Sequence, residues 1–294
     1  MAVTAVGATG ARRPSVRLRK LEDERWLAAT LLAPTAILLG LFIAYPFFEG
    51  IMLSLSSARV GEPGTFVGLK NFFKLWHDSI FWTSVWNTFW YTAVTTVFKL
   101  ALGLWLAMLL NRHFRGKAIV RAFVLLPFII PTVLSTFAWK WMFDPTFSVI
   151  NWSLFKLGFI TQRINWLGDG DLAMASIMIV NIWRGVPFFA ISLLAGLQTI
   201  SPELNEAAAI DGARPWNRFW YVTWPLLLPV TMVVMLFSVI QTFADFQLVY
   251  VMTGGGPANA THLFATYAYQ LGIVSGILSE GAADRKSTRL NSSH

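Results

Sequence analysis

The chain has 294 residues, of which 55% are hydrophobic and 13% are charged, and its formal net charge is +8. This composition is too apolar for an ordinary soluble domain and predicts an integral membrane protein, in which fourteen Trp and twenty-four Phe suit a surface that meets lipid. Basic residues at the ends of membrane spans account for the positive charge, so nucleic acid is not an expected partner. The lack of cysteine excludes disulfides and cysteine-ligated metal sites.

The amino-terminal stretch 1–25 is polar and rich in Arg and Lys, and we predict a flexible cytoplasmic tail there. The uncharged run 26–48 follows and is long enough to cross about 30 Å of hydrocarbon. A signal peptide has a shorter apolar core and a small-residue cleavage site, whereas aromatic residues and proline end this run. We therefore expect a retained membrane helix.

Four more apolar runs predict further spans, which gives five in all. They cover residues 81–110, 122–141, 172–200 and 222–252. The short loop 111–121 carries Arg112, Arg115, Lys117 and Arg121, which mark it as cytoplasmic. We therefore expect a multi-pass protein of the cell inner (plasma) membrane with a cytoplasmic amino terminus. The loop 201–221 then faces the cytoplasm, and the loops 49–80, 142–171 and 253 onward face outward.

The predicted outer loop 142–171 is rich in aromatic residues. Trp152 and Phe155, together with aliphatic neighbours, indicate a short helix lying on the membrane surface. A packed cap over the helix bundle explains the same pattern. The four histidines of the chain are scattered, and we expect them to be surface residues.

Two predicted spans each carry a polar stripe, and polar groups inside a membrane are costly enough to be informative. The residues of each stripe are spaced i, i+3, i+4 and i+7, so they share one helical face. The stripes are Asn181, Arg184, Gly185 and Phe188 in one span, and Ser238, Gln241, Thr242 and Asp245 in the next. Two such faces predict a hydrophilic substrate pathway, in which the ring of Phe188 offers a flat apolar surface to the substrate. The alternative is that these groups tie helices together, with Arg184 and Asp245 as a structural ion pair.

A polar, helix-forming segment separates these two spans. Ser201 is the expected N-cap, Pro202 the first helical residue and Glu203 the acidic residue of the first turn. Gly212 can end this helix in the left-handed conformation, and Pro215 can open a second helix. A short helix with small apolar groups can lie in the groove of another protein. An ordered cytoplasmic loop without a partner is the plainer interpretation.

The order of residues in this segment resembles the EAA loop of membrane subunits of binding-protein-dependent ABC importers. The matching residues are Glu206, Ala207, Ala208, Asp211, Gly212, Ala213, Phe219, Pro225 and Pro229. Further motifs are similar to the sugar-permease branch of the maltose and glycerol-3-phosphate type, and together the resemblance covers about 26–283. They include Tyr45-Pro46-Phe47, Gly68-Leu69-Lys70-Asn71-Phe72, Asn181-Ile182-Trp183 and Thr253-Gly254-Gly255-Gly256-Pro257.

The resemblance implies an all-α integral membrane fold, the type I permease bundle of ABC importers, and a role in ATP-driven uptake of a sugar, oligosaccharide, polyol or glycerol phosphate. It implies that Glu206, Ala207, Ala208, Asp211 and Gly212 couple the chain to an ATPase. The implied partners are a second homologous permease subunit, an ATP-binding subunit dimer, an extracytoplasmic solute-binding protein and the lipid bilayer. Asn181, Gly185 and Ser238 keep the residue type of the family, whereas Arg184 and Gln241 differ from the maltose subunit. This difference leaves room for an anionic or differently hydroxylated substrate.

The carboxyl-terminal part departs from the pattern of the family, in which a sixth core span follows the Gly-Gly-Pro loop. Here the segment 276–283 stands where that helix should begin, and the polar, basic sequence 284–294 follows. This tail cannot cross a bilayer and would place three cations on the outer side. We expect residues 284–294 to be foreign or mis-joined sequence, so that the sixth span is missing. A genuine five-span variant is the alternative.

The chain carries no phosphate loop of the GxxxxGK[ST] type, no HExxH or GxSxG motif and no cluster of His or Cys. We therefore expect no catalytic residues, no metal and no cofactor, and ATP hydrolysis on a partner. Two rival functions remain: an ion-coupled secondary transporter, which predicts inverted repeats, and a non-transporting membrane scaffold or intramembrane enzyme. No repeat is visible, and neither rival gives the EAA-like loop a purpose.

Overall fold

The computed structural model describes residues 24–283, and the predicted tail 284–294 and nearly all of the tail 1–25 lie outside these residues. Within the described residues the secondary structure is helical apart from two isolated β-bridges. The predicted all-α class is confirmed. In chain order the α-helices are α1 Glu24–Leu39, α2 Tyr45–Ser54, α3 Lys70–Trp76, α4 Ser79–Asn111, α5 Lys117–Ile129, α6 Thr132–Met142, α7 Val149–Lys156, α8 Gly170–Thr199, α9 Pro202–Ile210, α10 Pro215–Arg218, α11 Trp224–Phe243, α12 Gln247–Met252, α13 Phe264–Tyr269 and α14 Leu278–Ala283.

Four continuous helical stretches are long and apolar enough to cross a membrane. They are Arg25–Ser54, Ser79–Asn111, Gly170–Thr199 and Pro215–Phe243, and a fifth span exists if the bent pair of α5 and α6 is counted as one. Two of these stretches join neighbouring helices through π-helical segments, Gly40–Ala44 and Phe219–Thr223. The chain is therefore a multi-pass membrane protein.

The predicted span 122–141 is not straight, because α5 and α6 meet at an angle of 90°. Ile130 ends α5 in an extended conformation, with φ −62° and ψ 130°, directly before Pro131. Proline disfavours the helical conformation in the residue before it and donates no hydrogen bond, so the break falls there. The bend turns the start of α6 toward α8.

The predicted span 222–252 is also divided. Helix α11 ends at Phe243, and α12 starts again at Gln247 after a turn in which the Asp245 amide donates to the Thr242 carbonyl (3.1 Å). Asp245 therefore lies just beyond the helix on which the sequence predicted it. The turn leaves its carboxylate free to reach groups on two other helices.

Helices α4 and α8 form the most extensive helix pair of the bundle, and Gly103 lies where they approach. A methyl group at Gly103 would overlap the Phe189 Cβ and lie 3.2 Å from the Ala190 amide nitrogen. Small residues at such crossings let two helix backbones pack closely within a membrane.

We predict that Gly103→Ala destabilises the bundle by about 1–3 kcal/mol, because the neighbouring backbone of α8 cannot move aside freely. The measurement is the thermal unfolding of the purified protein in detergent. Gly40→Ala is the matched control, since nothing lies within 4 Å of the position that a methyl group would take there. Equal unfolding temperatures for the two variants would contradict this account of the helix contact.

The buried apolar side chains form two clusters, and α8 contributes to both of them. The first includes Ile177 and Val180 of α8 with Leu248 of α12, and the second includes Phe189 and Leu193 of α8. The residues 181–188, which contain the predicted polar stripe, lie between these two parts of α8. The polar stripe of α8 therefore lies between the parts of this helix that contribute to the two apolar clusters.

The predicted outer loop contains α7, as the aromatic pattern predicted, and shows features of both interpretations. Trp152 is 63% exposed and Phe155 59% exposed, whereas Ile150 packs on the first cluster. The buried Asn151 donates to the Ile164 carbonyl (2.9 Å), and its amide oxygen accepts from the Trp166 indole (2.9 Å). One face of α7 is thus fixed to the bundle while the other presents aromatic rings.

The expectation that all histidines are surface residues is wrong for His262. This side chain is buried beneath the Gly-Gly-Pro loop, where Gly255 has a φ of +95° and no space for a side chain. Burial lowers the pKa of the His262 imidazole below its usual 6.5. The ring is therefore neutral at physiological pH and serves to pack the loop.

Candidate functional site

A cavity of about 430 Å³ opens beside the polar stripe of α8. Helices α4, α5, α6, α8 and α11 border it, together with the turn that follows α11. All eight residues of the two predicted stripes line it, and they are Asn181, Arg184, Gly185, Phe188, Ser238, Gln241, Thr242 and Asp245. The two helical faces that the spacing predicted therefore line the same cavity.

Asp245 is held by hydrogen bonds from two helices. Its Oδ2 accepts from the Tyr91 hydroxyl of α4 (2.8 Å) and from the Asn181 side-chain amide of α8 (2.9 Å). Its Oδ1 lies 3.4 Å from the Leu248 amide at the start of α12. The carboxylate thus joins α4, α8 and the turn after α11, and it is satisfied by neutral donors.

The structural ion pair between Arg184 and Asp245, which was the alternative interpretation, does not form. Arg184 instead donates from one terminal nitrogen to the Thr132 hydroxyl (2.7 Å) at the first residue of α6. Its Nε is buried and has no hydrogen-bond partner among the described residues. The Oδ1 of Asn181 is likewise buried and unpartnered there. Both groups lie on the cavity wall with unused hydrogen-bonding capacity.

Lys99 is a cavity residue to which the sequence analysis gave no role. It reaches from α4 across the face of Gly185, where a methyl group would overlap its Cδ, and its ammonium donates to the Thr242 hydroxyl (2.7 Å). A lone ionisable residue inside a span marks a functional site by default, so the signal for Lys99 was present in the sequence. The contact between Lys99 and Gly185 could not be predicted from the sequence, because the two residues lie on different helices.

Aromatic rings cover one side of the cavity. Phe188 lies 5.7 Å from Phe128 in a nearly parallel arrangement and 5.6 Å from Phe237, measured between ring centroids. Phe128 belongs to α5 and lines the cavity. The cavity thus combines hydrogen-bonding groups with flat apolar surfaces, which is a combination that can bind a carbohydrate.

The segment between α8 and α11 forms the two helices that the sequence predicted, α9 and α10. Ser201 occupies the N-cap position but its side chain makes no capping hydrogen bond, and Pro202 begins the helix. At the other end Gly212 has a φ of +80°, and its amide donates to the Ala209 carbonyl (3.1 Å). The Ala213 amide donates to the Ala208 carbonyl (2.9 Å), which completes a Schellman motif and fixes the turn into α10.

Helix α9 contains no buried residue, so its surface is open to a partner. Glu206 and Ala207 are exposed, Ala208 is partly buried, and Asp211 and Gly212 are exposed at the carboxyl end. Ile210 is 87% exposed and Leu204 48% exposed, which is unusual for aliphatic side chains on a short polar loop. All five predicted coupling residues lie on this helix or on the turn that ends it.

A helical bundle with several membrane spans and a cavity lined by polar groups is the architecture of a membrane transport protein. The family described as "Binding-protein-dependent transport system inner membrane component" matches residues 99–281, and the chain belongs to this family. The predicted family is therefore confirmed. The match includes the cavity residues of α8 and α11 and the whole of α9.

Two curated relatives show how similar the chain is to known permeases. It is 39% identical over 249 residues to the sulfoquinovosyl glycerol transport system permease protein SmoG of Agrobacterium fabrum, covering 84% of this chain and 80% of that protein. It is 36% identical over 253 residues to the trehalose/maltose transport system permease protein MalF of Thermococcus litoralis, covering 85% of each. The chain is a transport permease subunit, as these relatives are.

Solved structures show the same fold. A chain of a bacterial ABC transporter involved in the import of the acidic polysaccharide alginate superposes with a TM-score of 0.78 and 23% identity, over 91% of both chains. A chain from that transporter in complex with an alginate pentasaccharide-bound periplasmic protein gives a TM-score of 0.77, with 23% identity, covering 91% of this chain and 90% of that one. The predicted type I ABC importer permease bundle is confirmed.

Proposed function

We propose that this chain is the permease subunit of an ATP-driven importer that moves a carbohydrate or related polyol across the cell inner membrane. The observation that carries the proposal is the cavity, in which polar groups of two spans converge beside aromatic rings. The names of the two curated relatives refer to saccharides or a glycoside, which supports the same class of substrate.

The cavity residues that are free to bind a substrate differ from those that hold the bundle together. Asn181 and Asp245 share a hydrogen bond and have a structural role in addition to lining the wall. Gln241 lines the cavity, and its side chain makes no hydrogen bond within the described residues. Arg184 keeps an unpartnered Nε there. A sugar that exchanges its water for such groups would lose little hydrogen bonding on entering the membrane. Phe188 would stack on the apolar face of the sugar ring.

Coupling to ATP hydrolysis is assigned to α9 and the turn at Gly212. Helix α9 is short and exposed, and it carries aliphatic and methyl groups beside Glu206, with Asp211 at its carboxyl end. It has the form of a helix that docks in a groove. Closure of an ATPase dimer would carry α9 with it and tilt the bundle between inward- and outward-facing states around the cavity. Each nucleotide state must favour a different orientation, because otherwise no work is coupled.

The remaining partners follow from the surface and from the expected topology. The span Arg25–Ser54 buries none of its central residues within this chain, so it meets lipid or another subunit. We assign a second homologous permease subunit, which completes the pathway, and a solute-binding protein that delivers substrate to the outer loops. The amino terminus and the loop 201–221 lie in the cytoplasm in this arrangement, where the ATPase dimer can reach α9.

We predict that the affinity-tagged chain, expressed with the proteins encoded beside it, co-purifies with an ATPase and a second permease subunit. Uptake of labelled saccharide by the cells should then stop when the catalytic residues of that ATPase are inactivated. Uptake that continues without the ATPase, and collapses when the ion gradient is dissipated, would establish the secondary transporter instead. A chain that purifies alone and supports no uptake would point to the scaffold.

A further inference from the structure

Three side chains of charged residue types line the cavity, and two of the three are cationic. Lys99 and Arg184 are cationic, and Asp245 is the one acidic residue of the lining within the described part of the chain. Placing charge inside a membrane protein is costly unless each charge has a partner. The arrangement of partners therefore indicates what the site lacks.

The carboxyl group of Asp245 already has hydrogen-bond partners within the protein. The Tyr91 hydroxyl and the Asn181 amide both donate to one of its oxygens, and the Leu248 amide lies near the other. Hydrogen bonds to a carboxylate favour its charged form and need no cation. Asp245 forms no direct ion pair with Arg184, whose side chain donates to Thr132 instead.

Lys99 is held in the cavity wall. It is 3% exposed, its chain is enclosed against Gly185, and its ammonium donates to the Thr242 hydroxyl. These contacts fix it in place and restrict its access to a substrate. Its charge nevertheless adds to the positive balance of the wall.

Arg184 is the cation whose hydrogen bonding is incomplete. Its guanidinium has five N–H donors in a fixed plane, cannot lose its proton in a protein, and suits the two oxygens of a carboxylate. The partner that it has is a neutral hydroxyl, that of Thr132, and its buried Nε has none among the described residues. A planar cation with free donors on a cavity wall is suited to a bidentate anionic ligand.

We propose that the saccharide carried through this cavity bears an anionic group, a carboxylate or a sulfonate, which pairs with Arg184. This inference rests on the proposed function and adds the charge of the substrate to it. Asn181 and Phe188 line the same cavity, and Phe188 lies against the sugar ring. The substrate thereby supplies the counter-charge that the wall lacks.

The experiment measures ligand binding to the purified complex of this chain with its permease and ATPase partners in lipid nanodiscs. The solute-binding protein is left out, so that its own selectivity does not affect the result. The probes are D-glucuronate and D-galacturonate, paired with D-glucose and D-galactose, which carry a neutral hydroxymethyl group in place of the carboxylate. Saturation-transfer NMR at millimolar concentrations should show the uronates bound in preference to the neutral sugars. Binding of the uronates should weaken as the chloride concentration rises.

Arg184→Gln should weaken uronate binding by about tenfold or more and leave the neutral sugars unaffected, because a charge-assisted pair is lost. Arg163→Gln is the matched control, since Arg163 is an exposed residue of the outer loop and should bind as the wild type does. Thr132→Val removes the hydrogen bond of Arg184 but keeps its charge, so uronate binding should largely persist. Similar losses in Arg184→Gln and Thr132→Val would trace the effect to the helix contact and overturn the proposal.

Equal binding of uronates and neutral sugars, or binding of none of the four probes, would also overturn the proposal. The importer function is judged separately by co-purification of the ATPase. A complex that contains the ATPase but ignores the carboxylate would refute only the anionic substrate. A chain that recruits no ATPase would refute the proposed function itself.

Discussion

Glu206→Lys is expected to reduce saccharide uptake by about tenfold or more, because a reversed charge at a docked interface places unfavourable charges opposite each other. Glu206 is exposed on α9, and its side chain makes no hydrogen bond or ion pair within the described residues. The substitution therefore removes no side-chain contact of the fold. The chain should therefore still insert and purify at normal yield. The measurements are uptake in whole cells and the amount of ATPase recovered with the tagged chain.

Two further variants separate docking from folding. Glu62→Lys makes the same charge reversal at an exposed residue of the predicted outer loop, and it should leave ATPase recovery unchanged. Gly212→Val forces a β-branched residue into a φ of +80°, where nothing lies within 4 Å, so its effect is on the turn rather than on packing. It should uncouple uptake as Glu206→Lys does. Normal ATPase recovery and uptake in both Glu206→Lys and Gly212→Val would refute the assignment of α9 as the coupling element.

The sequence was sufficient to predict features that depend on neighbouring residues. Pro202, Gly212 and Pro215 act through their own backbone preferences, so the bounds of α9 and α10 follow from local chemistry. The stripes of α8 and α11 follow from helical periodicity, which places residues on a face without any knowledge of the partner helix. These features are local, and they identified all eight predicted cavity residues.

The remaining features of the site depend on contacts between distant parts of the chain. Tyr91 and Asp245 are separated by 154 residues, and no local sequence pattern predicts the hydrogen bond between them. The partner of Arg184 is a second example, because Thr132 reaches it through the 90° bend between α5 and α6. Pro131 was visible in the sequence, but an apolar run with one proline is compatible with either a kinked span or a broken one. The ion pair of the alternative interpretation therefore does not form, and both residues have partners that only the fold brings together.

Gln241→Trp is expected to reduce uptake by about tenfold or more, which is about 1.4 kcal/mol or more of lost binding or passage. Gln241 lines the cavity from α11, and a larger side chain there would occupy space that a sugar needs. Because Gln241 makes no side-chain hydrogen bond within the described residues, the substitution breaks no tie between helices. The measurements are uptake, thermal stability and recovery of the ATPase, of which only the first should change.

Leu236→Trp is the control that distinguishes a blocked pathway from a crowded helix. Leu236 lies on the same helix but outside the cavity and is 63% exposed, so an added ring would meet lipid or a partner subunit. Uptake should remain normal in this variant. If Gln241→Trp transported as well as Leu236→Trp, the cavity would not lie on the substrate route, and the polar stripes would be reduced to hydrogen bonds between helices.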